Sequence, residues 1–65
     1  MLIKISGDKI ELPNGCSIGQ LIQIKDAPDN IVVVLNGDIV DAQRWDSTTL
    51  NANDEVELIH FVAGG

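Results

Sequence analysis

Ile31-Val32-Val33-Val34-Leu35-Asn36-Gly37-Asp38-Ile39-Val40 is the stretch that decides the fold. Ile31–Leu35 is apolar on both parities, as suits an interior strand covered on both faces. Asn36-Gly37 is the strongest short hairpin signal in the chain, because a two-residue turn needs positive φ at both positions. Asp38-Ile39-Val40 then reads as a short return strand.

Upstream of this hairpin, Ala27-Pro28-Asp29-Asn30 must end whatever precedes it. Pro28 cannot continue a helix, and the residue before a proline is biased to an extended conformation. Ser17 and Gln20 fit a capping box, with reciprocal bonds to two orphan amides at a helix start. Ile18, Leu21 and Ile22, followed by Ile24 or Lys25, recur at helical spacing and predict a helix of roughly two to three turns. Earlier still, Met1, Ile3 and Ile5 take one face of a strand while Leu2, Lys4 and Ser6 take the other. Gly7-Asp8 sits where a tight turn is wanted, Lys9–Leu12 alternates again, and Pro13-Asn14-Gly15 closes the second strand.

Downstream, residues 41–53 are polar and irregular, with Trp45 and Leu50 as anchors onto the core. Asn53-Asp54 marks another turn, and Glu55–Val62 forms the last strand. Val56, Leu58, His60 and Val62 share its inward parity; Glu55, Glu57, Ile59 and Phe61 share the other. One hairpin cannot bury its own apolar face, so a single short helix packs across a mixed sheet. The order predicts an α+β domain of the ubiquitin-like β-grasp kind, with a mixed sheet of four to five strands. Its first and last strands lie side by side and parallel in the centre. The domain covers residues 1–62 and leaves Ala63-Gly64-Gly65 as a flexible tail.

Sixty-five residues allow one small domain, with almost no room for a deep cleft. Ten acidic residues against four basic ones give a formal net charge of −6. Nucleic-acid binding needs clustered cations, and Lys4, Lys9, Lys25 and Arg44 are scattered singly. The acidity fits a protein partner with a basic surface, and equally fits solubility alone. A single cysteine leaves no internal disulfide, and the chain begins on a strand pattern rather than a basic or long apolar leader. The expected compartment is the cytoplasm.

Catalytic groups are sparse. Any histidine-based triad would have to be built on His60, and Cys16 with His60 gives too few soft ligands for zinc. Gly15, Gly19 and Gly37 lack the spacing and the lysine of a phosphate loop. Cys16 stands next to a helix start, where a thiol can become reactive; the competing reading is a small buried filler. No catalytic residue, bound cofactor or metal is expected.

The terminus is the exception. Gly64 and Gly65 follow directly on an apolar strand, and glycine, lacking Cβ, can lie in a tunnel too narrow for other residues. The terminal carboxylate is ionised at neutral pH and unhindered. Such a group can attack the α-phosphate of ATP, and the resulting acyl-adenylate can be opened by sulfur.

These features together resemble the ThiS family of sulfur carriers over essentially the whole chain. The likeness is carried by Met1–Ser6, by Gly15-Cys16-Ser17-Ile18 with Leu21-Ile22, and by Val34–Val40 with Trp45 after it. It continues through Leu50-Asn51-Ala52-Asn53-Asp54-Glu55-Val56-Glu57-Leu58 and the ending Val62-Ala63-Gly64-Gly65. The family usually has glycine where Asn53 stands, and asparagine is the next residue to tolerate positive φ. The resemblance implies that Gly65 carries the reactive carboxylate, with Gly64 and Ala63 as the slim approach. It implies three partners: an E1-like, ThiF-like adenylyltransferase that consumes ATP, a cysteine desulfurase system, and a ThiG-like thiazole synthase of thiamine biosynthesis. The related MoaD family, the small subunit of molybdopterin synthase, shares the ending, as do other Gly-Gly sulfur carriers. A ubiquitin-like modifier or pure docking module is the alternative from another class.

The outward parity of Ile59 and Phe61, with Leu2 on the neighbouring strand, predicts an exposed apolar cluster near the tail for partner docking. Under the competing reading, the loop of Trp45 folds over Ile59 and Phe61 and makes them a satellite core.

Overall fold

The computed structural model describes residues 1–28 and 30–61. Asp29, Val62 and the tail Ala63-Gly64-Gly65 lie outside the described residues, and with them the expected end of the last strand and the domain–tail boundary.

The chain runs through β1 (Leu2–Ile5), β2 (Asp8–Glu11), α1 (Ile18–Lys25), β3 (Ile31–Leu35) and β4 (Asp38–Val40). A 3-10 helix (Ala42–Ser47) and β5 (Glu55–His60) follow. The five strands form one sheet in the order β2-β1-β5-β3-β4. β1 and β5 are parallel neighbours, while β1–β2, β3–β4 and β3–β5 are antiparallel. This is the expected β-grasp arrangement, with β5 at the centre.

Local chemistry explains each element. Asn36 and Gly37 have φ of 50° and 88°, the doubly positive geometry that matches the twist of a two-residue hairpin. The first hairpin uses the same device at Ser6 (φ 47°) and Gly7 (φ 90°), one residue earlier than the expected Gly7-Asp8. Pairing of Ile5 with Asp8 makes Asp8 the first residue of β2. Helix α1 has the predicted capping box: the Gln20 amide donates to Ser17 Oγ at 3.1 Å, and the Ser17 amide to Gln20 Oε1 at 3.0 Å. Asp26 ends the helix in the left-handed region, its N–H donating to the carbonyls of Ile22 and Gln23. Asn53 has φ of 71°, so this turn does require the conformation that glycine adopts without cost.

Ile3, Ile5, Ile18, Leu21, Ile31, Val33, Leu50 and Val56 form the buried core between helix and sheet, with Leu12 and Cys16. The segment expected to be irregular contains the 3-10 helix, whose N-cap Asp41 makes no side-chain bond. A local side-chain bond and a bond to α1 hold this segment instead. Trp45 Nε1 donates to the Val40 carbonyl at 3.0 Å, the Ile18 amide donates to the Thr48 carbonyl at 3.0 Å, and Leu50 is buried. Both expected anchors are therefore in place, Trp45 half-buried against the core.

Candidate functional site

The site is the end of the sheet from which β5 runs toward the C-terminus. Antiparallel pairing places Ile59 opposite Val32, Glu57 opposite Val34 and His60 opposite Ile31; Val34 in turn faces Ile39 of β4. Side chains alternate across a sheet, so Val32, Val34, Ile39 and Ile59 share the face turned away from α1. Phe61 follows Ile59 at the same parity. Ile39, Ile59 and Phe61 are exposed, Val32 and Val34 partly covered. Acidic Glu55 and Glu57 continue this face along β5.

The last described residue is fastened at two points. The Phe61 amide donates to the Asn30 carbonyl at 3.1 Å, and Asn30 Nδ2 donates to the Phe61 carbonyl at 2.6 Å. Whatever follows Phe61 therefore starts from a fixed position beside the apolar face.

Leu2 corrects the expected cluster. It has the outward parity and is exposed, but the parallel register sets Lys4 beside Glu55 and the Asn53 amide donates to the Leu2 carbonyl at 2.8 Å. Leu2 thus lies level with Asn53, six residues before Ile59, or about 20 Å away at roughly 3.3 Å per residue. It belongs to the opposite end of the sheet. Val32, Val34 and Ile39 take its place beside Ile59, and their outward parity could have been read from the hairpin Ile31–Val40. The reading in which the Trp45 loop covers Ile59 and Phe61 does not hold either. That loop lies against α1, where a Cβ on Gly19 would collide with the Asp46 carboxylate.

His60 has inward parity yet is exposed, although Ile31 opposite it on β3 is buried. Cys16 is buried at 3% exposure, with Sγ 3.5 Å from the Ser17 carbonyl, as the filler reading expected. Among the described residues, no three His, Cys, Asp or Glu side chains are grouped so as to hold a metal. No helix of the described residues is long and apolar enough to cross a membrane. The expected reactive and approach residues, Gly65, Gly64 and Ala63, lie outside the described residues.

The sequence matches the ThiS family model over residues 2–65. This chain belongs to the ThiS family. Its fold is similar to the crystal structure of the thiamine biosynthesis protein (ThiS) from Geobacter metallireducens. The TM-score is 0.88 at 23% identity, with 100% of both chains covered. An NMR solution structure of a thiamine biosynthesis protein from the same organism gives a TM-score of 0.79 at 23% identity. It covers 100% of this chain and 88% of that one. At such identity the likeness shows the fold. No curated protein sequence matches the chain. The ThiS assignment rests on the family match, which runs through the final Gly-Gly.

Proposed function

We propose that this ThiS-family chain is a sulfur carrier of thiamine biosynthesis, a protein cosubstrate rather than an enzyme, with the Gly65 carboxylate as its working group. The observation that carries the reading is the family match extending to residue 65. An ATP-dependent, ThiF-like adenylyltransferase joins the carboxylate to the α-phosphate of ATP and releases pyrophosphate. The terminal sulfur of a persulfide from a cysteine desulfurase system then displaces AMP to give an acyl disulfide. A thiol reduces this and leaves as a disulfide with the carrier of the persulfide. The freed thiocarboxylate is consumed by a ThiG-like thiazole synthase. The carrier binds no cofactor of its own.

The described surface supports this division of labour. Exposed apolar patches with polar rims favour protein docking, and the patch of Ile59, Phe61, Val32, Val34 and Ile39 adjoins the fixed start of the tail. The four residues beyond Phe61 reach about 14 Å at most, so an enzyme acting on Gly65 docks at this end of the sheet. The deciding experiment incubates the chain with a ThiF-type adenylyltransferase, ATP and a sulfur source, and reads intact mass. Replacement of one terminal oxygen by sulfur is expected. A lysine adduct would establish the modifier reading instead, and an unchanged mass would reject the carrier.

A further inference from the structure

β5 is paired unequally on its two sides. Toward β3 the ladder continues to His60 and closes with Phe61 on Asn30. Toward β1 it stops at Val56, opposite Ile5, because the β1–β2 hairpin turns back at Ser6 and Gly7. The bonds present show which groups face each way. The Asn36 amide bonds the Glu55 carbonyl, and the Phe61 amide bonds that of Asn30, so the odd-numbered residues of β5 direct their backbone groups to β3. The even-numbered residues face β1: the amides of Lys4 and Ser6 donate to the carbonyls of Asp54 and Val56. The Leu58 amide ends this series on Ser6 Oγ at 3.4 Å. Beyond it, the Leu58 carbonyl and both backbone groups of His60 have no partner among the described residues.

An open strand edge is a template for another strand, and proteins normally blunt it with lysine, proline or a bulge. Leu58-Ile59-His60-Phe61 carries none of these. The edge opens instead into a groove lined by Lys4, Ser6, Gly7, Glu57, Leu58 and Ile59.

We propose that the open edge of β5 at Leu58–His60 accepts an extended segment of the adenylating enzyme as an added strand, extending the line of β1. The carrier reading supplies the identity of this partner; the edge supplies the binding mode. Added strands gain affinity from main-chain bonds and specificity from alternate side chains. On the outer face those side chains meet Glu57 and then Ile59, so the segment pairs a basic residue with an apolar one two positions away. The excess of acidic residues in the carrier favours the same choice.

The test uses the full chain and a purified ThiF-type adenylyltransferase without ATP, followed by hydrogen exchange at single amides. The His60 amide is expected to slow by about tenfold or more in the complex. His60→Pro removes the N–H that faces the open edge together with the imidazole, at a position where strands tolerate proline, and is expected to weaken the complex about tenfold. His60→Ala keeps the N–H and should bind within about twofold of the parent chain. A complex that forms and supports sulfur loading while the His60 amide exchanges at its free rate would overturn strand addition and leave the carrier reading standing. Failure of both complex formation and sulfur loading would overturn both. Equal weakening by His60→Ala and His60→Pro would assign the contact to the imidazole and also reject the proposal.

Discussion

Asn30 holds Phe61 through two hydrogen bonds of opposite sense, main chain to main chain at 3.1 Å and side-chain amide to carbonyl at 2.6 Å. The residue that launches β3 therefore also fixes the point from which the C-terminal residues depart. Asn30→Ala keeps the first bond and removes the second. It should cost about 0.5–1.5 kcal/mol in chemical denaturation and speed exchange at the Phe61 amide.

The outer face and the core should separate cleanly in mutants. Phe61→Ala and Ile59→Asp are expected to weaken binding to the adenylating enzyme with little change in melting temperature, since both side chains are exposed. Leu50→Ala, at a site 1% exposed, should cost about 2–5 kcal/mol. Leu2→Asp serves as the control for register: lying at the far end of the sheet, it should leave binding unchanged. A large melting shift for Ile59→Asp with normal docking would remove the patch from the interface.

Gly19 sits where α1 and the 3-10 helix touch, and an added Cβ would run into the Asp46 carboxylate. Asp46 is exposed, so its carboxylate can rotate away at small cost. That cost offsets only part of the gain of up to about 1 kcal/mol from replacing a helical glycine by alanine. Gly19→Ala should therefore leave stability unchanged or raise it slightly. Combined with Asp46→Ala, the same substitution should gain more, and a double-mutant cycle by thermal denaturation reads the coupling directly.

Cys16 should be dispensable for chemistry and costly for stability. Cys16→Ser is expected to load sulfur at the normal rate, measured by intact mass, because the proposed working group is the Gly65 carboxylate. Its hydroxyl replaces a buried thiol, so unfolding should become easier by about 1–3 kcal/mol. Loss of loading in a folded Cys16→Ser chain would give the thiol a chemical role.

Deletion of Gly65, or a bulky residue at Gly64, should abolish thiocarboxylate formation and leave the melting temperature unchanged. The described core of Ile3, Ile18, Leu21, Val33, Leu50 and Val56 is complete without these residues. Normal loading of the truncated chain would displace Gly65 as the acceptor.

The sequence by itself determined what local chemistry controls. Asn36-Gly37 dictates a hairpin because few residues accept two successive positive φ values, and Ser17 with Gln20 dictates where α1 begins. Alternation told inward from outward on β1 and β5, since side-chain direction along a strand depends only on parity. The Gly-Gly ending, weak as a signal by itself, pointed to the proposed working terminus once it was read with the small acidic β-grasp pattern. Tertiary structure decided whatever depends on register between segments remote in sequence. Parity placed Leu2 and Ile59 on one face, but the offset of β1 against β5 separates them along the strand, and no local pattern encodes that offset. The 3-10 helix is held by the local bond of Trp45 to Val40 and by the bond of the Ile18 amide to the Thr48 carbonyl, and the second exists only once this segment has met α1. The open edge at His60 has the same origin: β1 turns back at Ser6 while β3 continues, and the unequal lengths of two strands packed on a third become visible only after all three are paired.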